Sequence, residues 1–89
     1  MDFYHVTTPK KAQRYKNTGC ILSPVRGFTT QLAAMAWGMK TGRSVVYKFT
    51  SDKNYKLPDH HNKFGEAWWA DENIGLDRLT CVFSADRDG

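Results

Sequence analysis

DFYHVTTPKKAQRYKNTG, residues 2–19, decides how the rest of the chain is read. Large side chains over residues 2–6 favour a short strand. Thr8 then suits an N-cap and Pro9 the first helical position, where a missing N–H and a fixed φ are tolerated. The segment from Lys10 onward reads as a helix with Ala12, Tyr15 and Lys16 on its inner side. Asn17-Thr18-Gly19 stops it, because glycine accepts the left-handed turn that satisfies the last carbonyls. The first unit is strand, cap, helix, stop.

Working outward, CILSPV (20–25) is an extended stretch broken by Pro24, and RGFTT (26–30) leads into a second helix capped by Thr29 or Thr30. In QLAAMAWGMKTG, Leu32, Met35, Ala36 and Met39 fall at i, i+3, i+4 and i+7. That spacing predicts an apolar stripe packed in the core, with Gly42 closing the helix. RSVVYKFT (43–50) is β-branched and aromatic, a strand with Val45, Tyr47 and Phe49 on one face and Val46 and Lys48 on the other. The polar run 51–65 reads as a long connection with a short strand at Tyr55 to Leu57. EAWWA (66–70) is a strand, DENIGLDRL (71–79) a turn ending in a helical turn, and TCVFS (80–84) the last strand. Short strands bracketing two helices without regular alternation predict an α+β fold with mostly antiparallel pairing.

Eighty-nine residues fit one domain with one small core, and three Trp, four Tyr and five Phe supply the bulk to fill it. A monomer or small homo-oligomer is expected. Cys20 and Cys81 have neither metal nor redox spacing and read as two buried free thiols. MDFYHV lacks the basic and apolar regions of a secretory leader, and no apolar run approaches the length of a membrane span, so a cytoplasmic protein is expected. The formal charge of +4, with the excess between Lys10 and Lys63, favours anionic ligands without choosing among them.

Taken singly, the polar candidates have plain explanations. His5 in a strand finds a backbone partner easily, Glu66 opening a strand is usually solvated, and Trp68-Trp69 divide between core and cover. His60-His61 lack ligand spacing and read as a solvated pair, so no metal site is expected.

Their order changes the reading. FYHVTT…A…Y…TG resembles the opening of the ADP-ribosyltransferase-like fold, as in diphtheria-toxin-type transferases and tRNA 2'-phosphotransferases. RGFTTQLAAMAW looks like the second element of that family, and GEAWWADENIGLDRLTCVF is similar to its closing element. The resemblance covers nearly the whole chain, residues 1–89, as a single domain. It implies a split antiparallel sheet gripping NAD, used as substrate. His5, on the Tyr4-His5 pair, would hydrogen-bond the ribose beside the nicotinamide. Phe28 would stack on the nicotinamide, with a ring face but no hydroxyl. Glu66 would bind the nicotinamide ribose and, with His5, form the catalytic pair. Tyr4, His5, Thr7, Phe28 and Thr29 become the expected cofactor-binding residues. A carboxylate at Glu66 suits bond breakage at the anomeric carbon, which develops an oxocarbenium cation. Asp59 to Lys63, just before Glu66, fall where the family recognises its acceptor.

The implied activity is transfer of ADP-ribose to a protein or nucleic-acid acceptor. Two other functions fit the residues. A non-catalytic interaction protein on the same fold, of a small phage or mobile-element type, suits the short length and an exposed Trp of the Trp68-Trp69 pair. A nucleic-acid binder would use Arg14, Arg26, Lys40, Arg43, Lys48 and Lys53 with Tyr55 or Phe64 as stacking platforms.

Overall fold

Thr8 and Thr30 set the frame, because each caps a helix that crosses one face of a sheet. The computed structural model of the chain describes residues 1–58 and 64–84. In chain order the elements are β1 (Asp2–Thr7), α1 (Pro9–Thr18), β2 (Cys20–Ile21), β3 (Val25–Phe28), α2 (Gln31–Thr41) and β4 (Val45–Thr50). Then come β5 (Asn54–Lys56), β6 (Ala67–Ala70), β7 (Ile74–Gly75), a 3-10 turn (Leu76–Arg78) and β8 (Thr80–Ser84). The fold is α+β, a small domain with two helices on a mostly antiparallel sheet.

The cap hydroxyl of Thr8 accepts from the Lys11 N–H and that of Thr30 from the Ala33 N–H, both at 3.1 Å. Left-handed glycines, Gly19 and Gly42, end the two helices as the sequence predicts. Six strands pair in the order β5-β6-β3-β1-β4-β8, and β2 pairs with β7 in a separate ribbon. Sequence-adjacent strands are therefore seldom sheet neighbours, and the core is assembled from distant segments.

Strand alternation sends each sheet residue into one of two clusters. Phe3, Val25, Phe49 and Ala70 meet Ile21 and Ile74 of the ribbon, with Tyr15 of α1 and Trp68 packed alongside. On the opposite face Phe28, Val46 and Ala67 meet Ala33 and Ala34 of α2, with Tyr4, Val6 and Met35. The Phe3 ring lies 5.6 Å from Phe49 and 6.0 Å from Trp68, centroid to centroid. Truncating Phe3, 1% exposed, is expected to cost about 3–5 kcal/mol.

Half of the stripe expected to bury α2 faces outward. Leu32 is 79% and Met39 85% exposed, while Met35 and Ala36 are half-buried with Met35 packed on the core, and Ala33, Ala34 and Gly38 are buried. Close approach decides this. A Cβ on Gly38 would lie 2.6 Å from the Arg43 carbonyl oxygen and 3.2 Å from Val6 Cγ1, so α2 lies too near β1 for large side chains. Periodicity places two apolar faces on this helix and cannot say which one the sheet takes.

Val45 and Val46 are both buried on the two faces of β4, in keeping with the expected alternation. Two smaller expectations change. Cys81 is exposed on edge strand β8 and Cys20 half-buried, so neither thiol is fully buried. Neither Trp68 nor Trp69 is exposed: Trp69 stacks on Tyr55 at 4.9 Å, and both rings are half-buried. Asp59 to Lys63, including His60 and His61, lie outside the described residues. Among the described residues no helix is long and apolar enough to cross a membrane.

Candidate functional site

β1 and β4 pair along all six residues of β1, but β1 and β3 share only Tyr4 opposite Phe28. Beyond that point the His5 ring takes the place of a ladder hydrogen bond, its Nδ1 lying 2.7 Å from the Arg26 carbonyl oxygen. A glycine permits the crowding. A Cβ on Gly27 would stand 3.0 Å from Phe3 Cβ and 3.3 Å from the Tyr4 carbonyl oxygen. The β1–β3 ladder thus stops after one pair, a local split within one six-stranded sheet, and a cavity of about 340 Å³ is lined by residues of both strands.

Its polar floor is a hydrogen-bonded chain. Because the Arg26 carbonyl can only accept, His5 Nδ1 carries the proton that meets it. His5 Nε2 lies 3.1 Å from the Tyr15 hydroxyl, and the Thr7 hydroxyl donates to the same Tyr15 oxygen at 3.3 Å. Burial, the largest influence, holds His5 below its ordinary value of 6.5. The Arg26 carbonyl opposes that shift, and the Lys11 and Arg43 charges reinforce it. The imidazole is therefore neutral at pH 7.

Lys11, Arg26 and Arg43 stand around the cavity, and its lining holds no carboxylate among the described residues. Among the described residues these three cations make no ion pair. The imbalance is written into the chain: residues 3–51 hold eight Lys and Arg and no Asp or Glu. Phe28, Trp37 and Leu57 form the apolar wall. Phe28 is 9% exposed and lies 6.2 Å from the ring of Trp37, which is 36% exposed and 5.8 Å from Phe64. The accessible stacking face is that of Trp37.

His5, Thr7 and Phe28 come together in the split, from two strands. Tyr4 is turned to the α2 face, with Lys48 Nζ 6.0 Å from its ring, and does not line the cavity. Thr29 donates its N–H to the Glu66 carbonyl at 3.2 Å. The Glu66 carboxylate accepts from Trp68 Nε1 at 2.7 Å and faces Lys56 Nζ at 3.8 Å. Its next neighbour, Ala67, lines the cavity, whereas Glu66 does not. Glu66 and His5 share a sheet face, because Trp68 two residues on packs against Phe3 two residues back.

Sequence reasoning missed Tyr15, Lys11 and Trp37 as site residues. Tyr15 falls one helical turn after Lys11, and both follow the strand that carries His5. That spacing is a usable signal only once α1 is known to lie against that face. Glu72 was also missed. It accepts from Ser51 Oγ at 2.6 Å and from both terminal nitrogens of Arg78, at 3.2 and 3.3 Å. Those partners hold its carboxyl below the ordinary value, and they make it a fastening between the β6–β8 segment and β4.

A second groove of about 440 Å³ lies between α1 and β4/β8, lined by Pro9, Gln13, Tyr47, Leu79 and Cys81 among others. Among the described residues Lys16 is the only charged one in its lining. Size favours this groove, but charge, aromatic surface and buried polar groups favour the split as a site for an anionic ligand. Among the described residues no group of three or more His, Cys, Asp or Glu could hold a metal ion. Comparison with protein-family models, with curated proteins and with solved structures finds no match.

Proposed function

We propose that this chain is an ADP-ribosyltransferase-like protein that binds NAD in the split between β1 and β3 and transfers ADP-ribose to a macromolecular acceptor. The observation that carries the reading is the split itself, which gathers His5, Thr7, Phe28, Trp37 and three cations around about 340 Å³, with no ion pair to those cations and no carboxylate in the lining among the described residues. Lys11, Arg26 and Arg43 suit the pyrophosphate, since cations left unpaired beside a cavity attract an anionic ligand. Trp37 suits the flat nicotinamide ring, with Phe28 supporting it from behind. Glu66 is the carboxylate for the developing ribose cation, and it must leave Trp68 Nε1 and Lys56 to serve.

Glu66→Gln keeps the size and an acceptor for Trp68 while removing the charge. Nicotinamide release is expected to fall by about 10²-fold in this variant, with unchanged thermal stability. Equal release from both proteins removes Glu66 from the reaction. A second reading is a non-catalytic interaction protein. It is favoured by Leu32 and Met39, 79% and 85% exposed on the outer face of α2, and by the existing engagement of Glu66. Nicotinamide binding without release selects it.

A further inference from the structure

His5 has no free nitrogen to offer a ligand. One constraint fixes every proton in the chain that it belongs to. The Arg26 carbonyl accepts from Nδ1–H, so Nε2 of the neutral ring is bare and accepts from the Tyr15 hydroxyl. The Tyr15 proton is then committed, so the Thr7 hydroxyl must donate to the Tyr15 oxygen. Thr7 lines the cavity but is only 1% exposed, and its one proton is spent on Tyr15. What remains toward the cavity is an acceptor position on the Tyr15 oxygen.

We infer that Tyr15 is the specificity-determining residue of the split, its phenolic oxygen accepting a hydrogen bond from a ribose hydroxyl of the bound nucleotide. The inference deepens the NAD reading and rests on it for the ligand class. A hydroxyl can donate to this oxygen, whereas a phosphate or carbonyl oxygen would set lone pair against lone pair. The phosphate therefore turns to Lys11, Arg26 and Arg43, which lets the sugar face inward. His5 is a positioning residue: it takes the Tyr15 proton and so keeps the oxygen an acceptor. A ligand lacking the hydroxyl leaves that acceptor buried and unpaired, which is the strongest way a site rejects an analogue.

The test compares nicotinamide mononucleotide with its 2',3'-dideoxy counterpart by titration calorimetry, on wild type, Tyr15→Phe and Met39→Ala. Wild type is expected to prefer the hydroxylated ligand by about tenfold, the worth of one hydrogen bond. Tyr15→Phe keeps the ring against the core and loses the preference. Its His5 Nε2 nitrogen resonance moves as the donor disappears, and near-ultraviolet circular dichroism stays native. Met39→Ala, on the exposed outer face of α2 and away from the cavity, retains the preference. No binding of the mononucleotide, no preference in wild type, an undiminished preference in Tyr15→Phe, or its loss in Met39→Ala each overturns the inference. Nicotinamide release from NAD is measured on the same preparations. Release without a Tyr15-dependent preference sinks this inference alone, and preference without release sinks the transfer activity alone.

Discussion

Gly38→Ala reverses the usual sign of a glycine-to-alanine change inside a helix. At a solvent-facing position the change stabilises by about 1 kcal/mol, because alanine loses less backbone entropy on folding. Here the added Cβ would sit 2.6 Å from the Arg43 carbonyl oxygen. A relaxed carbon–oxygen contact is about 3.3 Å or longer, so something must move by about 0.7 Å. The carbonyl cannot yield alone, since the Arg43 N–H donates to the Gly38 carbonyl at 2.8 Å just after the Gly42 stop. On the other side Val6 Cγ1 stands at 3.2 Å. Overpacking of this kind costs about 1–3 kcal/mol, and the helical gain offsets part of it. The net expectation is a loss of about 1–2 kcal/mol, or a Tm lower by about 5–15 °C for a domain of this size. Urea denaturation with an unchanged m-value measures it. Met39→Ala, one residue along and 85% exposed, is the control and should stay within about 0.5 kcal/mol. Stabilisation by Gly38→Ala, or a larger loss from Met39→Ala, would mean that α2 packs through its Leu32 and Met39 face after all.

Three further outcomes are expected. Because His5 is held below 6.5 in the fold, the unfolded chain takes up the proton first as pH falls. Stability is complete above about pH 6.5 and declines from there toward the folded-state value, so a urea midpoint that stays flat from pH 7.5 to 5.5 contradicts a neutral His5. Asp2 and Glu72 are likewise held low, by Thr50 and by Arg78 first, and their contribution disappears only in more acid solution, below the ordinary 3.8 and 4.5. Ser51→Ala removes a 1% exposed hydroxyl that donates to Glu72 and accepts from the Lys53 N–H at 3.2 Å; it should cost about 1–2 kcal/mol, and a neutral effect by denaturation would dismiss the fastening role.

Local chemistry was legible in the chain because it is short-range. Thr8, Pro9 and Gly19 announce α1, Gly42 announces the end of α2, and residues 45–50 announce β4, each through one or two dihedrals or a run of β-branched side chains. Sheet order was not legible, since β3 pairs with β6 across some forty intervening residues and nothing in either strand names the other. The face of α2 was misread because both of its sides are apolar, and the choice fell to the small side chains that allow close approach. At the site, His5, Thr7 and Phe28 could be proposed from the order of motifs, but Tyr15 could not. Its role arises only when α1 folds back on β1 and one carbonyl of a third element, Arg26, fixes the direction of every proton between them.

Titration of NAD into uniformly nitrogen-labelled protein, followed through the backbone amides, asks most directly whether the split is the binding site. Shifts should cluster at His5, Thr7, Arg26, Gly27 and Trp37, leaving Tyr47 and Cys81 of the second groove unmoved. Shifts centred on Tyr47 and Cys81, or none at millimolar NAD, would contradict a nucleotide site between β1 and β3.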